Sequence, residues 1–134
     1  MTKRAMIVDD DEGVLFLHEL MLVESNFAEE ILSFNDAQDA LDYLEKGSGN
    51  DHYIVFLDIN MPKTSGWDFL NQLEHGHYDP KIHVIMVTSS INQSDRKRAE
   101  KFNHVVYFVE KPLDIDVCER LKKMESLKEL FNKN

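Results

Sequence analysis

The chain has 134 residues, enough for one hydrophobic core rather than two, and its apolar share of 43% is that of an ordinary globular fold. No apolar run approaches the ~20 residues of a bilayer span, and the N-terminal MTKRAMIVDD meets acids before a secretory core can form; with one cysteine, Cys118, a reducing cytoplasm is expected. The net charge of −10 is lopsided, with 16 acids and 4 bases in residues 1–74 against 9 acids and 11 bases in residues 75–134, and this argues against nucleic acid as a partner because phosphate binding needs a dominant basic field.

The first predicted strand is AMIV (5–8), which runs into four consecutive acids. Asp9 and Asp10 finish the strand. Asp11 and Glu12 fall at the start of the following helix, where negative charge opposes the exposed N–H dipoles for about 0.3–1 kcal/mol each. ILSF (31–34) is more mixed and suits an edge strand. Asn35 or Asp36 then caps a second helix with Ala37, Ala40, Leu41 and Leu44 at helical spacing, ended by GSGND (47–51). YIVFL (53–57) is the third strand and leads into Asp58. HGHYDP (75–80) separates the third helix from the fourth strand, HVIMV (83–87), and places His75 and His77 in a loop rather than at a metal. The fourth helix, roughly Gln93 to Phe102, has Ala99 and Phe102 as anchors and turns Arg96, Lys97, Arg98 and Lys101 outward. VVYFV (105–109) precedes Lys111-Pro112. A fifth helix then carries Val117, Leu121, Met124, Leu127 and Phe131, ends near Phe131 and is followed only by NKN, so residues 1–134 are expected to form a single domain without an output domain.

Strand and helix alternate five times, and the inner strands are apolar without alternation, as parallel strands covered on both faces are. The expectation is a doubly wound α/β fold, flavodoxin-like, with a five-stranded parallel sheet in the order 2-1-3-4-5.

Ligands in such sheets sit at the carboxyl ends of the strands. There the chain delivers Asp9 and Asp10 after the first strand, Asp58 after the third, Thr88 after the fourth and Lys111 after the fifth. Three carboxylates and one ammonium leave the rim two charges negative, which a divalent cation would cancel; oxygen ligands without a soft donor suit Mg²⁺. A flavin or dinucleotide site is not expected, because DDDEG would repel a phosphate where glycines and a bare helix N-terminus are needed.

These residues lie in VDDD (8–11), FLDINMPKTSGWDFL (56–70), VIMVTSS (84–90) and VEKPL (109–113). The four blocks, in this order, resemble the receiver domain of two-component response regulators over essentially the whole chain. The resemblance implies a phosphorelay switch that takes a phosphoryl group onto Asp58 from a phosphohistidine on a sensor histidine kinase or histidine phosphotransfer protein. By the same resemblance Asp10 and Asp58 bind Mg²⁺, as does the backbone carbonyl of Asn60, with Asp9 acting through water. Lys111 pairs with the phosphoryl oxygens, Thr88 is the switch hydroxyl, and Phe108 is the switch aromatic, with Tyr107 as the alternative. Pro62 and Gly66 match the loop after the phosphoacceptor, glycine being suited to unusual backbone angles, and the Lys111-Pro112 bond is expected to be cis. The segment from Asn103 to Lys111 is one residue longer than the family's usual spacing. A separate downstream effector is expected on the face of the fourth helix, fifth strand and fifth helix. The rival readings are a receiver-like module that binds without phosphorylation and a phosphatase of the haloacid dehalogenase type. The phosphatase would need a general acid where Asn60 stands.

Overall fold

The computed structural model describes residues 2–131. In chain order the elements are β1 (Thr2–Val8), α1 (Glu12–Glu24), β2 (Glu30–Phe34), α2 (Ala37–Glu45), β3 (Asp51–Asp58), α3 (Gly66–His75), β4 (Lys81–Thr88), α4 (Gln93–Ala99), β5 (Val105–Glu110), α5 (Ile115–Lys122) and α6 (Lys128–Phe131). The strands form one parallel sheet in the order β2-β1-β3-β4-β5, which is the doubly wound arrangement expected from the sequence.

Alternate side chains of each strand supply two cores. Met6, Val8, Val55, Leu57, Val84, Met86 and Phe108 face α2, α3 and α4, packing on Leu41, Leu44, Leu70 and Leu73. Ala5, Ile7, Ile54, Phe56, Ile85, Val87 and Val109 face α1 and α5, packing on Leu15, Leu22, Cys118 and Leu121. Because both faces are covered, the central strands contain no run of alternating polar residues. Each of α1 to α5 starts at a side chain that accepts a backbone N–H: Asp11, Asp36, Ser65, Asn92 and Asp114. At α3 the bond is reciprocal, Asp68 returning an acceptor to the Ser65 N–H. Asp36, not Asn35, caps α2, while the Asn35 amide donates to Glu12 at 2.9 Å.

Three elements depart from the sequence reading. The fourth helix stops at Ala99 instead of Phe102, because Lys101 and Phe102 turn back with i→i+3 bonds to Arg98 and Ala99 and bring the Phe102 ring within 6.3 Å of Trp67. The last helix is broken. A turn over Lys123–Leu127 separates α5 from α6, buries Leu127 and sets Phe131 edge-on to Phe27 at 4.9 Å, so burial overrides a helical period that would have continued. His75 is the last residue of α3 rather than part of a loop, its Nδ1 lying 2.9 Å from the Asn71 carbonyl oxygen.

The pairing of β4 with β5 contains a bulge. Val84 pairs with Val105 but Ile85 pairs with Tyr107, so Val106 has no partner in the register. From Tyr107 onward the ladder runs regularly to Thr88 opposite Glu110, and the Lys111 N–H bonds the Thr88 carbonyl at 2.8 Å. This register carries Lys111 to the rim beside Asp9 and Asp58.

Candidate functional site

Sheet order reverses between β1 and β3, which opens a crevice at their carboxyl ends. Asp9 follows β1 there and Asp58 closes β3; they are 2% and 4% exposed, and Asp10 beside them is exposed. A carboxylate oxygen from each of the three lies within 4.8 Å of the other two. Donors offset part of the charge of the two buried acids. Asp9 Oδ1 accepts the Asp11 N–H at 2.9 Å, Asp58 Oδ1 accepts the Asn60 N–H at 3.3 Å, and the Lys111 ammonium bridges Asp9 Oδ2 at 2.9 Å and Asp58 Oδ1 at 3.3 Å. The peptide between Lys111 and Pro112 is cis, as expected from the sequence.

One ammonium does not neutralise three carboxylates. Burial, reinforced by the Asp9 charge, pushes the Asp58 carboxyl up to about 6 in spite of Lys111. Burial works against the Lys111 ammonium as well, but its bonds to Asp9 and Asp58 outweigh that, and its pKa is raised above the ordinary lysine value. A cluster of three hard oxygen donors with residual negative charge fits a hard divalent cation and offers nothing to a soft one. A cleft of about 220 Å³ lined by Asp10, Asp36, Met61, Pro62 and Lys63 opens beside it.

Two further groups meet the rim. The Thr88 hydroxyl, 3% exposed, donates to the Ser90 carbonyl at 3.0 Å and so is engaged with the β4–α4 loop. Gly66 starts α3 where a Cβ would stand 2.7 Å from the Asp58 carbonyl oxygen and 2.9 Å from Ile59 Cα. The requirement there is space, not an unusual backbone angle, since no described glycine has a positive φ.

Residues 5–123 match the family model of the response regulator receiver domain. The chain belongs to that family. The relatives it resembles include the probable methanogenesis regulatory protein FilR2 of Methanothrix harundinacea (strain 6Ac), 29% identical over 129 residues that span 94% of this chain and 81% of FilR2. The transcriptional regulatory protein PcoR of Escherichia coli is 27% identical over 113 residues, 84% of this chain but only 46% of PcoR. Among solved structures, a two component response regulator from Cytophaga hutchinsonii superposes with a TM-score of 0.80 at 26% identity, covering 98% of each chain. The response regulator receiver protein of Dyadobacter fermentans DSM 18053 gives 0.77 at 28% identity, covering 90% of this chain and 96% of that one.

Receiver domains are phosphoaccepting signalling switches and not enzymes with a separate substrate, and neither rival reading of the sequence is favoured by this membership. Asp9, Asp10, Asp58, Thr88 and Lys111 all come to one rim of the receiver domain. Phe108 is 7% exposed in the core beneath α4, whereas Tyr107 is 43% exposed. His75 and His77 stay outside the rim cluster. No helix among the described residues is long and apolar enough to cross a membrane.

Sequence reading missed two features of this receiver domain. The basic run on α4 is not merely solvated, since Arg98 stacks on the Trp67 ring at 4.4 Å and Arg96 lies 5.6 Å from the Phe108 ring. On α1, Phe16, Leu17, Leu20 and Val23 are exposed, at 74%, 39%, 41% and 57%. The spacing of Phe16, Leu20 and Val23 at i, i+4 and i+7 was the available signal, but it reads as a buried face until the opposite face is known to carry Leu15, His18 and Leu22.

Proposed function

We propose that Asp58 is the phosphoacceptor, with Mg²⁺ held by Asp10, Asp58 and the Asn60 carbonyl and, through water, by Asp9. The observation that carries this reading is the convergence of three carboxylates and Lys111 on one crevice, with Asp58 Oδ1 3.3 Å from the ammonium. The donor is a phosphohistidine of a sensor histidine kinase or histidine phosphotransfer protein. An Asp58 carboxylate oxygen bonds to phosphorus as the N–P bond breaks, and the imidazole keeps that electron pair and takes a proton from water. Bound Mg²⁺ supplies neutralisation for the phosphoryl oxygens in such transfers. Lys111 offers the remaining positive charge, and partial burial of the crevice limits the water that competes for it.

Phosphorylation adds roughly one negative charge and three acceptor oxygens. The Thr88 hydroxyl then exchanges the Ser90 carbonyl for a phosphoryl oxygen, freeing the β4–α4 loop. Two or three charge-assisted hydrogen bonds at about 1.5–3 kcal/mol each match the ~5.5 kcal/mol needed to carry a two-state element from 1:99 to 99:1. The element is α4, a seven-residue helix with one buried residue, Ala99. Phe108 follows it by repacking, as it has no hydroxyl to offer. The effector reads the face of α4, β5 and α5, where Gln93, Arg96, Lys97, Val105 and Tyr107 line a groove of about 340 Å³. The donor covers the opposite flank of the rim, where α1 begins and its exposed apolar stripe is bordered by Glu12, Glu19 and Glu24.

The test is incubation with acetyl phosphate and Mg²⁺. A mass gain of about 80 Da that vanishes in Asp58→Asn is expected. No gain, or a gain that survives the substitution, overturns the assignment.

A further inference from the structure

Of the three residues that α1 buries, two are leucines and the third is His18, 1% exposed. A leucine would fill that position as well, so the imidazole calls for a polar reason. Its Nε2 accepts the backbone N–H of Leu113 at 3.1 Å, a bond between residues 95 apart in the chain. Leu113 is itself 1% exposed, so its N–H has no water to fall back on.

Leu113 stands two residues beyond Lys111, and Pro112 between them has no N–H to donate. The segment is fastened at both ends: the Lys111 N–H to the Thr88 carbonyl at 2.8 Å and the Leu113 N–H to His18 at 3.1 Å. One fastening comes from β4 and the other from α1, so together they fix the backbone that carries the Lys111 ammonium to Asp9 and Asp58. We propose that His18 is a positioning residue for Lys111, acting as a neutral imidazole that accepts the Leu113 N–H. The bond dictates the tautomer, since a backbone N–H can donate only to an unprotonated nitrogen; the ring hydrogen resides on Nδ1. Burial keeps the imidazole pKa below the ordinary histidine value, in the same sense.

This inference rests on the phosphoacceptor reading only for its consequence, and its test separates the two. Two-bond ¹H–¹⁵N spectra of the full chain at pH 7 should give the Nδ1–H tautomer for His18. The Lys111 Nζ and Cε resonances should move in His18→Leu and return toward wild type in His18→Gln, whose carbonyl restores an acceptor. Neither measurement needs a phosphodonor. With acetyl phosphate and Mg²⁺, His18→Leu should slow Asp58 phosphorylation about tenfold, in line with misplacement of one catalytic group, without changing apparent Mg²⁺ affinity. The loss should disappear in a Lys111→Ala background, because a residue acting through Lys111 has nothing left to position. An Nε2–H tautomer, Lys111 resonances indifferent to His18→Leu, or a rate loss undiminished in Lys111→Ala overturns the proposal. If wild type is not phosphorylated at all, the phosphoacceptor reading fails while the tautomer and the Lys111 resonances still decide the role of His18.

Discussion

Replacing Asp58 by asparagine should make the ion-free protein more stable at neutral pH. Burial and the Asp9 charge raise the Asp58 pKa from 3.8 to about 6. Because the folded value is the higher one, the favourable contribution of the protonated group is fully present below 3.8 and is lost as pH rises through 6. At 1.36 kcal/mol per pH unit that interval costs the native state on the order of 3 kcal/mol by pH 7.5. An asparagine side chain cannot ionise and escapes this loss. The contact with Lys111 at 3.3 Å is already counted in that figure, since the ammonium holds the Asp58 pKa down against burial and the Asp9 charge, and in the variant Lys111 retains Asp9 at 2.9 Å. Urea titrations in EDTA should therefore give Asp58→Asn a stability advantage on the order of 3 kcal/mol at pH 7.5 that shrinks toward pH 4. Comparing the two proteins at each pH cancels every other titrating group not coupled to position 58. Saturating Mg²⁺ should close the gap, since an ion at 100 times its Kd stabilises wild type by about 2.7 kcal/mol. Equal or lower stability of Asp58→Asn at pH 7.5 in EDTA, or a difference that does not vary with pH, would refute the account of the crevice as an uncompensated buried charge.

Gly66→Ala should destabilise the domain by about 1–3 kcal/mol and impair phosphorylation, because its Cβ would meet the backbone of Asp58 and Ile59 rather than a side chain able to yield; denaturant midpoints and the acetyl phosphate reaction check both. Arg98→Ala should red-shift the emission of Trp67, the sole tryptophan, and cost about 0.5–2 kcal/mol, as the guanidinium 4.4 Å from the ring is removed; unchanged emission and midpoint would mean that the stack does not hold α4. His52 and His83 stack at 5.8 Å with planes 6° apart, and burial lowers the pKa of both, Lys81 acting in the same direction and Asp51 opposing it at His52. Their depressed folded values leave stability intact above the unfolded pKa of about 6.5 and withdraw it as pH falls further, when only the unfolded chain takes up protons readily. In an Asp58→Asn background, which removes the opposite slope, the urea midpoint should fall from pH 7 to pH 5, and His83→Gln should flatten that fall.

The rim was legible in the sequence because parallel strands impose it. A strand covered on both faces must be apolar throughout, so the first polar residue after it marks the carboxyl end of the sheet, and Asp9, Asp58 and Thr88 declare themselves without knowledge of the fold. Lys111 lies one residue past that mark, Glu110 being the first polar residue after VVYFV, and its exact reach depended on a bulge at Val106 that no local pattern announces, because a bulge is a statement about the partner strand. The ends of α4 and α5 escape sequence reading where a distant contact decides them. Phe102 leaves the helix for Trp67, and the turn after α5 lets Leu127 and Phe131 reach Phe27 and the base of β1, contacts whose partners lie far away in sequence.

His18 shows most plainly why such features stay hidden. Within α1 it interrupts the buried face between Leu15 and Leu22, and helical periodicity counts it as a break in the pattern rather than part of it. Only when the segment between β5 and α5 brings the Leu113 N–H opposite Nε2 does the imidazole acquire a purpose. The residue that the apolar pattern rejects is then the one that ties the first helix to the lysine of the rim. A polar side chain at a buried helical position therefore marks where the backbone of another element needs a partner, and the rim depends on α1 for more than the acids that precede it.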